Sequence, residues 1–149
     1  TSEDDFKNKV SNNFFLEHAL VHGNFYGTSK DFVETKIAEG INIILEIDIQ
    51  GVQQIKSTNF PHESIFLLPP SIESLTERLN ERGTNSKESI ELRLSNAMKE
   101  IPSCKDYDHI LVNDVFEDCC NDLARIITGE DSFPMNSKKE LFLTKLLNS

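Results

Sequence analysis

The sequence is poor in four things, and each absence excludes a class of protein. Apolar stretches stop at about four or five residues, against the roughly 20 that a membrane-spanning helix needs; no membrane partner is expected. Basic residues are outnumbered, 15 Lys and Arg against 25 Asp and Glu, for a net charge of -10. Such a chain repels a phosphate backbone, so nucleic acid is not expected as a partner. A small nucleotide, which needs only a local basic cluster, stays compatible. The three cysteines, Cys104, Cys119 and Cys120, show no Cys-x-x-Cys spacing. They support neither a disulfide framework nor a zinc site, and read as reduced thiols of a cytoplasmic protein; no metal-ligand residues are assigned. Finally, no Gly-x-x-x-x-Gly-Lys-Ser/Thr loop occurs anywhere in the 149 residues, so a backbone cradle for nucleotide phosphates is missing. The opening residues, Thr1-Ser2-Glu3-Asp4-Asp5, are polar and acidic, unlike a secretory leader, and the lack of an initiator Met reads as a processed boundary.

What is present fits one domain with a single core. Ser2 and Asp5 form a capping-box-like pair before a helical run, Phe6 to Val10. Phe14 to Val21 and Phe25 to Thr28 read as two strands of a hairpin turning at His22-Gly23-Asn24. Ser29 caps a helix that runs through Glu39 and ends at Gly40. Ile41 to Ile49, Ser64 to Leu68 and His109 to Val112 read as buried strands of a parallel sheet. Between and after them fall helices at Gly51 to Lys56, Ser71 to about Asn80, Lys87 to Glu100 and Val115 to Thr128, with a last one capped by Ser137 and ending near Leu147. Arg82 to Ser86 reads as a loop. No internal repeat or low-complexity tract interrupts the pattern. Strand–helix alternation behind a small hairpin predicts a doubly wound α/β fold with an insertion lobe. Three core strands are few for such a sheet, where about five or six are usual.

Several polar residues stand out against this frame. On a strand, Ile44, Glu46, Asp48 and Gln50 share one face and Ile43, Leu45, Ile47 and Ile49 the other. Two carboxylates inside an apolar strand call for a partner or a cation, and they lie at the carboxyl end, where open α/β sheets bind ligands; structural acids at a strand end are the other reading. Arg78 and Arg82 meet on one helix face, and Arg93 follows in the next helix. Three guanidiniums joined by a short loop could close on phosphate oxygens, or pair with the surrounding glutamates as a solvated surface. Glu17 is an acid in the apolar run Phe14-Phe15-Leu16-Glu17-His18-Ala19. Its carboxylate can accept two adjacent donors, the pattern of a guanine edge. Tyr26, on the facing strand, offers a hydroxyl to a phosphate. An exposed Glu and a packing Tyr are the alternative.

Taken together, these segments resemble the guanylate kinase family. The resemblance covers about Ser2 to Glu130 and rests on five ordered blocks: FFLEHALVHGNFYGTSK (14–30), ILEIDIQGVQQIK (44–56), IFLLPPS (65–71), ERLNERGTNSKESIELRL (77–94) and YDHILVND (107–114). It implies a P-loop nucleoside-monophosphate-kinase-like parallel sheet with a GMP-binding hairpin lobe (about 1–40), a core (about 41–149) and a helical lid (around 78–93). It also implies that the first strand and the P-loop are absent. The implied activity is ATP-dependent phosphorylation of GMP to GDP with Mg2+, in a protein whose small-molecule partners are GMP and ATP; a homo-oligomer is left open. Residue by residue, the resemblance implies that Glu17 reads guanine, Tyr26 holds the GMP phosphate and Thr28 contacts the base. Glu46 and Asp48 stand beside GMP and the metal. Arg82 and Arg93 become the catalytic lid arginines, with Arg78 and Arg82 on ATP phosphates and Asn113 at its adenine end. Glu46 departs from the family's usual Asp.

Two other classes compete. A catalytically silent guanylate-kinase-like interaction module tends to lose the lid arginines and nucleotide acids, which here are present. A thymidylate or adenylate kinase would lack the hairpin lobe with its Glu and Phe-Tyr-Gly-Thr. Without the phosphate loop, the 149 residues alone are expected to show little or no kinase activity. In the family the loop's strand lies in mid-sheet, so its absence is expected to leave Ile-rich strands with unpaired backbone groups.

Overall fold

The computed structural model describes residues 2–21, 23–81 and 87–148. The predicted loop Arg82–Ser86 lies outside them. The chain divides into two units, Thr1–His62 and Glu63–Ser149.

The first unit holds helix α1 (Glu3–Ser11), strands β1 (Phe15–Val21) and β2 (Asn24–Ser29), and helices α2 (Lys30–Ala38) and α3 (Ile49–Lys56). The Ser2 hydroxyl accepts the Asp5 N–H at 3.2 Å, and Glu3, Asp4 and Asp5 place negative charge in the first turn of α1, where the helix dipole favours it. The helix therefore begins three residues before the predicted Phe6. Asp5 pairs instead with Lys9 one turn on, at 3.0 Å. β1 and β2 pair antiparallel, with Glu17 opposite Thr28 and Ala19 opposite Tyr26, and a bulge between Phe15 and Glu17. Ser29 caps α2 by accepting the Phe32 N–H. Gly40, at φ +77°, closes it in the left-handed conformation that glycine adopts without strain. Leu16, Val33 and Ile55 form the core, with Leu45, Ile47 and Phe60 packed on it.

One predicted strand does not form. Residues 41–48 form no regular element and belong to no ladder, and Ile49 already starts α3. An Ile-rich run becomes a strand only when a neighbour takes its N–H and C=O groups. Among the described residues no second strand pairs with this run; its first N–H, on Ile41, goes instead to the Lys36 carbonyl. The alternation itself survives: Ile43, Leu45 and Ile47 are half-buried, while Ile44 and Glu46 face solvent.

The second unit holds β3 (Ile65–Leu68), α4 (Ile72–Glu81), α5 (Lys87–Glu100), a 3-10 turn (Ile101–Asp106), β4 (His109–Val112), α6 (Phe116–Ile127) and α7 (Ser137–Leu147). β3 and β4 pair in parallel, Ile65 opposite His109 and Leu68 opposite Val112. Each face carries its own apolar cluster. Phe66, Leu68, Ile110 and Val112 pack with Ile101, Cys104, Leu143 and Leu146; Ile65 and Leu111 pack with Cys119, Leu123 and Ile126. A sheet buried on both faces is what a parallel arrangement requires. Asp108 ties the strand starts together, its Oδ2 accepting the Ser64 N–H at 2.8 Å and hydroxyl at 2.6 Å. Ser71 caps α4 as expected, accepting the Ser74 N–H at 3.1 Å. The last helix is capped one residue earlier than predicted: Asn136, not Ser137, accepts the Lys139 N–H at 3.0 Å. Asn136 has an extended backbone, as an N-cap must, whereas Ser137 is already helical.

Candidate nucleotide site

Glu17 is 95% buried by its surroundings, only 5% of it reaching solvent. The bulge at Leu16 turns it inward: an extra residue shifts the alternation of β1, so Leu16 enters the core and Glu17 follows it out of solvent. The Thr28 hydroxyl, directly across the ladder, donates to Glu17 Oε1 at 2.6 Å. Residues two apart on a strand share a face, and with Glu17 opposite Thr28 and Ala19 opposite Tyr26, all four lie on one side of the hairpin. The other side is aromatic: Phe6 stacks on Phe15 and Phe25, each at 4.8 Å between ring centres. One face of the hairpin is thus committed to packing. The opposite face carries a carboxylate held by one hydroxyl and a second hydroxyl, Tyr26, which is 56% exposed and open to a ligand.

Asp48 begins α3. Its Oδ1 accepts the Gly51 N–H at 2.9 Å and its Oδ2 the Gln50 side-chain amide at 3.4 Å. The carboxylate predicted beside GMP and the metal is therefore also a helix N-cap. Glu46, two residues back, is exposed. Two features of this unit went unread in the sequence. Gly51 is buried inside α3, and a Cβ built there would meet Glu17 Oε2 at 2.9 Å. An isolated glycine in a helical pattern is a signal of close approach, and that signal was available. The side chain of Gln54 brackets His18, donating to its C=O at 2.7 Å and accepting its N–H at 3.0 Å. No sequence pattern announces that pairing.

In the second unit the structure brings Arg78 and Asn113 together: the guanidinium Nη2 donates to the Asn113 carbonyl at 2.9 Å. Asn113 is itself fixed beyond the end of β4 by its N–H to the Leu68 carbonyl, at 2.8 Å. Arg93 is half-buried on α5, and its Nε is buried without a hydrogen-bond partner among the described residues. Arg82 lies outside the described residues. Two aspects of the predicted arginine trio are thus visible, Arg78 engaged with the backbone and Arg93 with an unused donor.

A parallel two-faced α/β unit, together with a hairpin bearing an inward carboxylate, is the architecture of the nucleoside-monophosphate-kinase class. Comparison with known proteins narrows this. A family model described as guanylate kinase matches residues 1–130. The chain is 46% identical over 125 residues to a guanylate kinase of Hydrogenovibrio crunogenus, covering 84% of this chain and 61% of that protein. It is 40% identical over 148 residues to one from Buchnera aphidicola, covering 98% and 72%, and 45% identical over 130 residues to one from Escherichia coli K12, covering 87% and 62%. Among solved structures, the guanylate kinase from Anaplasma phagocytophilum superposes with a TM-score of 0.71 at 31% identity, over 92% of this chain and 65% of that one. The chain belongs to the guanylate kinase family. It spans 61–62% of the length of two of these relatives and 72% of the third. No helix among the described residues is long and apolar enough to cross a membrane.

Proposed function

We propose that the chain supplies the GMP-binding lobe and the lid arginines of a cytoplasmic, ATP-dependent guanylate kinase, ATP + GMP giving ADP + GDP. The observation that carries this reading is the buried Glu17 carboxylate, held by Thr28 and sharing a hairpin face with the exposed Tyr26 hydroxyl. Guanine presents two N–H donors side by side, N1–H and the exocyclic amine, and a carboxylate accepts both. A base lacking those donors leaves the buried carboxylate with only the Thr28 hydroxyl and its other acceptor sites unfilled, which is how a site built on hydrogen bonds rejects the wrong substrate. Tyr26 donates to the GMP phosphate.

In the transfer, a GMP phosphate oxygen attacks the γ-phosphorus of ATP, the bond to the bridging oxygen breaks, and ADP leaves. The protein's task is positioning and neutralising charge rather than proton abstraction. Arg93, with an Nε free of partners among the described residues, and Arg82 close on the transferred group; Arg78 braces the region through Asn113, which stands at the adenine end. Among the described residues no group of three potential metal ligands occurs. Glu46 and Asp48 offer two hard oxygen donors, and Mg2+ accepts one or two carboxylates when nucleotide phosphates and water complete its shell, so these residues fit the ion. Bound there, Mg2+ would neutralise phosphate charge. A calorimetric titration with GMP tests the reading: Glu17→Gln replaces one acceptor oxygen by an amide NH2 donor and is expected to weaken GMP by roughly tenfold or more. Unchanged affinity would remove Glu17 from the base site.

A further inference from the structure

Helix α3 approaches Glu17 in two places, and both contacts bear on where the carboxylate points. Gly51 and Gln54 are three apart and therefore lie on one face of the helix. At Gly51 the helix lies so close to the acid that a methyl group there would stand 2.9 Å from Glu17 Oε2 and 3.2 Å from Ile47 Cβ. Real carbon–oxygen contacts are longer, and the buried Glu17 side chain is held at its other oxygen by Thr28, so an added carbon would rotate the carboxylate. Glycine is a poor helix residue, and at this position its lack of a side chain is what admits the acid. At Gln54 the side-chain amide acts as a one-residue strand. It takes both the N–H and the C=O of His18, the residue after Glu17, which pairs with Gly27 two residues past the bulge at Leu16. Asp48, by capping α3 through the Gly51 N–H, fixes the helix start from which both contacts are made.

We infer that the Gly51–Gln54 face of α3 is the positioning element for the base-reading carboxylate, and that it sets the preference for guanine over purines lacking the exocyclic amine. This rests on Glu17 reading the base. The two N–H donors of guanine are matched only if both carboxylate oxygens lie in the plane of the base edge. A rotated carboxylate keeps one bond and loses the other. Inosine monophosphate offers N1–H alone, so the ratio of GMP to IMP affinity reports the orientation of the carboxylate, whereas a general loosening of the lobe weakens both ligands alike.

The test is calorimetry with GMP and IMP on the intact protein, comparing wild type, Gly51→Ala, Gln54→Met, Glu17→Gln and the double variants with Glu17→Gln, each with its melting temperature. Gly51→Ala and Gln54→Met are expected to lower the GMP:IMP ratio by roughly tenfold, mainly by weakening GMP. Added to Glu17→Gln, each is expected to cost little more, because the contact through which it acts is already gone. Two results overturn the inference: an unchanged ratio in both single variants, or losses that simply add in the double variants. Gln54→Met removes hydrogen bonds without adding bulk, so it decides the matter if Gly51→Ala does not fold. If Glu17→Gln itself leaves GMP binding unchanged, the base-reading assignment fails, an outcome separate from the other two.

Discussion

A buried carboxylate must be held by donors or it costs stability, and the Thr28 hydroxyl donates to Glu17 from directly across the hairpin ladder. Thr28→Val keeps the shape and removes that donor. We expect a loss of about 1–3 kcal/mol in urea unfolding, and weaker GMP binding in the same titration that tests Glu17→Gln. The cysteines separate by environment. Cys104 is fully buried and Cys119 nearly so, and burial pushes both thiols up from their ordinary range, whereas Cys120 is exposed. Because the thiolate is the reactive form, a thiol reagent at pH 8 is expected to modify Cys120 within minutes and the other two only after denaturation. Rapid labelling of all three under native conditions would contradict this burial pattern. At this scale the sequence was informative where a residue was out of character. Glu17 in an apolar run and Tyr26 on the facing strand were legible; the bulge that turns Glu17 inward was not, because nothing in Phe15-Leu16-Glu17 marks which residue is extra.

Among the elements, α3 has the most to decide. Its cap, Asp48, stands where a nucleotide acid is proposed, and the two roles separate by substitution. Asp48→Ala removes the acceptor for the Gly51 N–H and is expected to cost about 1 kcal/mol of stability. Asp48→Asn keeps a capping oxygen and is expected to cost much less. If Asp48 also serves the nucleotide and Mg2+, both variants lower kinase activity of the intact protein, because the amide is a poor metal ligand. An Asp48→Asn variant with full activity would leave the residue only its capping role. Across the second unit, Asp108 holds Ser64 at the starts of β3 and β4. Asp108→Ala strands two buried donors and is expected to lower stability by about 1–3 kcal/mol, read as a lower urea midpoint. Most elements were legible from caps and periodicity: Ser2, Ser29 and Ser71 each cap the helix that the sequence assigned to them. The exception, residues 41–48, had the right alternation and no ladder partner, since hydrogen bonding between strands is a property of two segments and cannot be read in one.

At the scale of the whole molecule, the described strands form two separate two-stranded sheets, one antiparallel and one parallel. Two strands make a marginal sheet, and β3 exposes half of Leu67. A polypeptide of these 149 residues by themselves is therefore expected to self-associate above micromolar concentration, visible as rising light scattering. It is also expected to show little turnover in a coupled assay with GMP, ATP and Mg2+, because no phosphate-cradling loop occurs among its residues. Turnover comparable to that of a full-length relative would refute that expectation.

The sequence by itself determined the family, the caps of α1, α2 and α4, most of the order of α and β segments and the polar residues proposed to meet a guanine base and its phosphate. These are local or linear properties: a serine before a helical run, an alternation of isoleucines, an acid among phenylalanines. Only the tertiary structure decided that Glu17 is buried and bound to Thr28, that Asp48 caps α3, that Arg78 is committed to the Asn113 carbonyl, and that Gly51 and Gln54 close on the acid. Apart from the Asp48 cap, which spans three residues and is fixed by where α3 starts, each of those facts joins residues distant in the chain, and their energies depend on distance and desolvation, which no single segment carries.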